Sequence, residues 1–139
     1  MTKKNRNILL IVLGLFVAGG VVTAYEIYKT FYNEILETRL ISNFNVEEIH
    51  GSHPTILRIS GMPMYSGMIV RSVTQKKNGS TIVVMIHLAL VGLAKPKYVG
   101  NFIEYEMTIP DSVNEVQFGR SGTPIWKRGT TLAPLFERR

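Results

Sequence analysis

A chain of 139 residues with 45% hydrophobic side chains and a formal charge of +6 has room for one ordinary domain and a further segment, but not for two cores. The absence of cysteine excludes disulfides, thiolate zinc sites, iron–sulfur clusters and lipid modification of an N-terminal cysteine. The cations are dispersed in short groups (Lys76 and Lys77, Lys95 and Lys97, Lys127 and Arg128, Arg138 and Arg139), without the stripe that neutralises several phosphates together, so nucleic acid is not the partner they point to.

Residues 1–7 carry Lys3, Lys4 and Arg6, while residues 8–25 carry no charged side chain and the first acid is Glu26. As a helix the uncharged stretch spans roughly 27 Å, close to the thickness of a hydrocarbon core. A lone span must satisfy its backbone internally, which leaves helix as the only form. Gly14, Gly19 and Gly20 are compatible with that, and Tyr25 and Tyr28 fall where an interfacial aromatic belt belongs. The basic start keeps the N-terminus inside. The reading is therefore a cytoplasmic N-terminus at residues 1–7, a transmembrane signal-anchor helix in contact with the lipid bilayer at residues 8–28, and everything beyond on the outer side of a bacterial-type cytoplasmic (inner) membrane. A cleavable signal peptide ending near Val22, Thr23 and Ala24 is the competing reading. Retention is favoured because Tyr28, Phe31, Tyr32, Ile35 and Leu36 continue the spacing of a helical apolar face, predicting a juxtamembrane extension over residues 29–41. The small-xxx-small pair Gly14 and Ala18 would allow self-association through the helix.

Residues 42–139 read as an extracytoplasmic β-rich domain, with β-branched and aromatic residues alternating with polar ones in short runs broken by Gly, Pro, Asn and Ser. Strands are expected at residues 44–49, 56–60, 68–75, 80–91, 102–109, 113–118 and 124–127. Residues 68–75 and 80–91 should form a hairpin through Asn78 and Gly79, a pair suited to the positive φ of a tight primed turn. On 102–109 the set Ile103, Tyr105, Met107 and Ile109 should face the core, leaving Glu104 and Glu106 on a solvated face. The fold class expected is mainly β: an N-terminal transmembrane helix and a small antiparallel β-sandwich, with immunoglobulin-like architecture among the candidates. Trp126, the only tryptophan, is expected to pack rather than to bind a ligand.

Candidate chemistry is sparse. His50 and His53, beside Glu47 and Glu48, are acceptable ligands for borderline metals, and Met62, Met64 and Met68 gather soft thioethers that select Cu(I). Surface histidines in a polar connection and methionines in an adaptable contact loop are the simpler reading, so no metal and no cofactor are assigned, and Met62, Met64 and Tyr65 become partner-binding candidates. No Gly-x-Ser-x-Gly elbow, Ser-x-x-Lys pair or phosphate-cradling loop occurs, and His87 lies within an apolar run where a hydrogen-bonded core or edge role is expected. The function these features favour is non-enzymatic: a membrane-anchored, periplasmic-type β-domain that binds a protein of the cell envelope, in an inhibitor, immunity or assembly and secretion role. The alternative is an envelope copper-binding protein using the His50/His53 and Met62/Met64/Met68 cluster.

Overall fold

The computed structural model describes residues 3–32, 34–49, 54–98 and 102–130, and of helix residues 3–12 and 29–32 only the backbone. It is mainly β with one N-terminal helix. Helix α1 (Lys3–Tyr32) holds the apolar side chains Leu13, Leu15, Phe16, Val17, Val21, Val22, Tyr25, Ile27 and Tyr28, all more than half exposed, with Glu26 the charged side chain among the described positions 13–28. Its polar Thr23 hydroxyl donates to the Gly19 carbonyl at 2.8 Å, so it makes no demand on its surroundings. Among the described residues no helix is long and apolar enough to cross a membrane. The side chains of residues 8–12, which complete the stretch expected to do so, lie outside them.

The helix stops at Tyr32, short of the extension expected over residues 29–41. Ile35 and Leu36 fit a helical face in spacing, but the sandwich offers them more. Strand β1 (Glu34–Ile35) pairs antiparallel with Leu88 and His87, the Leu36 amide donates to the Ile86 carbonyl at 2.9 Å, and the Leu36 side chain is fully buried. An edge ladder and a buried leucine, worth about 1.5–3 kcal/mol, outweigh an isolated helical turn whose own propensity is marginal. The β-domain thus begins at Glu34 rather than at Ser42.

A single 3-10 turn (Thr38–Leu40) leads into β2 (Ile41–Ile49), β3 (Thr55–Pro63), β4 (Met68–Asn78), β5 (Thr81–Leu90), β6 (Ile103–Ile109), β7 (Glu115–Phe118) and β8 (Thr123–Lys127). Strands β2, β3 and β6 form one antiparallel sheet. In the other, β5 is central: β4 pairs along its length, while its opposite edge is divided between β7 at residues 81–84 and β1 at residues 87–88, with β8 beyond β7. The β5–β7 pair is parallel, so the sandwich is mixed and not purely antiparallel. The intervening β6 lies in the other sheet, and this out-and-back path returns the chain in the direction of β5.

The inward faces alternate along each strand: Leu57 and Ile59 of β3 and Ile103, Met107 and Ile109 of β6 meet Ile82, Val84, Ile86 and Leu88 of β5, with Val116 and Phe118 of β7. Phe44 meets Phe118 edge-on at 5.4 Å between ring centres. The β4–β5 hairpin forms as expected, one residue displaced. Asn78 pairs with Thr81, so the loop is Gly79-Ser80, and Gly79 at its first central position takes φ +60°, the type II′ arrangement.

The two ends of the sandwich differ in position relative to α1. The end of β3, the start of β4, the end of β5 and the starts of β2 and β6 come together through the pairs Ile41 with Pro63, Met68 with Leu90 and Gly61 with Ile103. This near end receives the helix, because β1 enters beside Leu88. The far end carries the β4–β5 turn and the turn after β6, tied by a 2.9 Å hydrogen bond from Lys77 Nζ to Ser112 Oγ.

Candidate functional site

Of the residues singled out in the sequence, His50 and His53 lie outside the described residues. Met62 is not in a loop: β3 runs on to Pro63, because Gly61 pairs with Ile103 while Met62 and Pro63 pair with Ser42 and Ile41. Inward Gly61 and Pro63 turn Met62 to the outer face, 47% exposed, and Met64 beyond the strand is 59% exposed. Tyr65 and Met68 are half-buried against the core. These methionines stand at the near end. The nine residues of β3 put roughly 26 Å, at about 3.3 Å per residue, between them and Thr55 at the far end. Among the described residues no group of three or more His, Asp or Glu is placed to hold a metal ion.

The near end gathers a different set, which the sequence reading did not group. Met62, Met64, Leu90, Val91, Leu93 and Phe102 are the exposed large apolar side chains of the described β-domain, and all six belong to this end. Short backbone bonds hold them there. The Val91 amide donates to the Gly67 carbonyl at 2.9 Å and the Leu93 amide to the Leu90 carbonyl at 3.0 Å, while Met64 is tied back through its amide to the Leu40 carbonyl at 2.9 Å. The turn after β5 therefore presents Val91 and Leu93 outward on a fixed backbone, followed by exposed Lys95.

A cleft of about 620 Å³ is lined by Glu37, Thr38, Arg39, Arg120, Ser121 and Thr123. Glu37 Oε1 accepts from the Arg120 amide at 2.8 Å and the Ser121 amide at 3.3 Å, and Oε2 accepts from the Ser121 hydroxyl at 2.6 Å. The carboxylate closes the β7–β8 turn from outside, and its oxygens are occupied by that turn's own donors. Among the described residues the lining holds no imidazole, and the carboxylate acts as a clasp between the start of the β-domain and a hairpin. Its partners lie 83 and 84 residues away, so no local pattern could have announced it.

The remaining candidates have plain structural roles. His87 faces out of β5 with Nε2 at 2.9 Å from Thr74 Oγ1, and partial burial, with Arg71 nearby, holds its pKa below the usual imidazole value. Glu106 lies on the solvated face as expected, and there Arg58 Nη2 meets its Oε1 at 2.6 Å. Trp126 is buried, its indole N–H donating to Glu48 Oε2 across the sheets at 2.9 Å. Comparison with known proteins finds no matching family model, no matching curated protein and no matching solved structure.

Proposed function

We propose that this chain is a membrane-anchored, non-enzymatic interaction module, held by α1 at the outer face of a bacterial-type cytoplasmic membrane and meeting a protein of the cell envelope through its β-domain. The observation that carries the reading is the helix itself. Thirty residues form one continuous helix; residues 8–25 of it carry no charge, and every described side chain from residue 13 to residue 25 is exposed, Thr23 being the polar one besides Tyr25. A helical stretch that is apolar all round belongs in a protein core or in lipid, and the described residues leave side chains 13–25 of this one exposed. Lys3, Lys4 and Arg6 before the stretch set its direction. Met62, solvent-exposed on the outer face of the three-stranded sheet, offers the adaptable contact that methionine provides at protein interfaces.

The test is topological. A reporter active only outside the cytoplasm, fused after Arg139, is expected to work, and the protein is expected to remain in membranes through alkaline carbonate washing. Release of the chain by carbonate, or recovery of a fragment starting near Tyr25, would overturn the anchor. Crosslinking in intact membranes followed by affinity capture is then expected to bring down one abundant envelope protein with the full chain.

A further inference from the structure

We infer that the near end of the β-domain is itself a lipid-contacting surface, with Met64, Leu90, Val91, Leu93 and Phe102 lying among the headgroups of the bilayer that α1 crosses; this rests on the anchor reading above. Three observations converge on it. The first is distance. From Tyr25, the last residue of the uncharged stretch, to Tyr32 at the end of α1 is about 10 Å of helix, and a headgroup layer is roughly 5–8 Å deep on each side. Only Asn33 then separates the helix from β1, so the end of the sandwich that receives the helix has nowhere to stand except against the membrane surface.

The second is segregation. All the exposed large apolar side chains of the described β-domain lie at this end, whereas the far end exposes Lys76, Lys77, Asn78, Asp111 and Ser112. Scattered exposed apolar residues are ordinary on a protein surface, but collection at one end marks a contact surface. The third is charge. Lys95 is exposed two residues beyond Leu93, setting a cation beside the apolar patch, as basic residues flank membrane-seated segments. A protein partner would have to displace lipid to reach this patch; a bilayer already covers it.

The chain has no cysteine, so single cysteines can carry an environment-sensitive fluorophore without interference. The full chain is reconstituted into phosphatidylcholine and phosphatidylglycerol vesicles with V91C or L93C at the patch, S112C at the far end and F16C in the helix, each checked by circular dichroism for an unchanged fold. Lipids spin-labelled near the headgroup are expected to quench the labels at 91 and 93 about twofold or more relative to the label at 112, in keeping with apolar faces that sink about 5–10 Å into the interface. Quenching of the F16C label by lipids spin-labelled deep in the acyl chain reports the anchor separately. A quenched label at 16 with labels at 91 and 93 as water-exposed as that at 112 overturns the lipid surface alone and gives the patch to a protein. An unquenched label at 16 overturns the anchor as well.

Discussion

Glu37 binds two backbone amides and one hydroxyl of the β7–β8 turn, and hydrogen bonds to a charged acceptor contribute more than neutral ones. Glu37→Ala is expected to cost about 1–2 kcal/mol in chemical denaturation, since the site is only partly shielded from water. Gly119, with φ +74°, lies directly beneath the carboxylate, and a Cβ added there would collide with Glu37 Oε2. Gly119→Ala therefore carries a backbone cost of about 1–2 kcal/mol plus a steric one, and Glu37→Ala should remove the steric part. A double-mutant cycle checks this: strictly additive costs would show that the two groups do not meet. At His87 the direction of the pH effect follows from its depressed pKa. The folded state favours neutral imidazole, so its contribution is complete above the ordinary value of 6.5 and declines as pH falls from there through the lower folded value. Melting temperature is expected to drop over that window and to lose that component in His87→Gln, while acids such as Glu115, whose pKa is held below the usual carboxylate value by Gln117 and Lys127, act only at lower pH.

Elements defined by alternation were legible in the sequence, and elements defined by distant partners were not. Residues 102–109 announced their inward set by period two, and Ile103, Met107 and Ile109 are buried while Glu104 and Glu106 are exposed. In the segment after Tyr32, helical spacing and a short strand both bring Leu36 inward, and only the free edge of β5 at residues 87–88 decides between them. Likewise, Asn78-Gly79 identified the hairpin, but the register with β5 moved the turn to Gly79-Ser80. A Cβ on Gly79 would meet nothing within 4 Å, so Gly79→Val tests backbone conformation with no clash. It is expected to destabilise the fold by about 1 kcal/mol or more, because a β-branched residue resists positive φ. Urea denaturation reads this directly, and an unchanged midpoint would mean that the turn is not of this type.

Across the whole molecule, exposed apolar residues from two separate connections, Met62 and Met64 where β3 leads to β4 and Leu90, Val91, Leu93 and Phe102 where β5 leads to β6, are collected where the helix arrives. That collection cannot be read from sequence neighbourhood, because strand direction decides which loops share an end. The early boundary of the β-domain has a measurable effect. A fragment beginning at Glu34 is expected to be several kcal/mol more stable than one beginning at Ser42, which lacks fully buried Leu36, nearly buried Ile41 and the Glu37 bonds, each buried aliphatic side chain being worth about 1.5–3 kcal/mol. Equal denaturation midpoints for the two fragments would contradict this account of where the domain starts. The same entry segment has a mechanical meaning. With only Asn33 between α1 and β1, tension or torque on the helix passes into the sandwich at a two-residue strand, which can peel from β5 one bond at a time. Leu36 and the Glu37 clasp then form the first firm stop. Under load the domain should yield in two stages, a soft release of β1 and a later rupture at Glu37, so that pulling on the helix frees a length of tether before the sandwich opens.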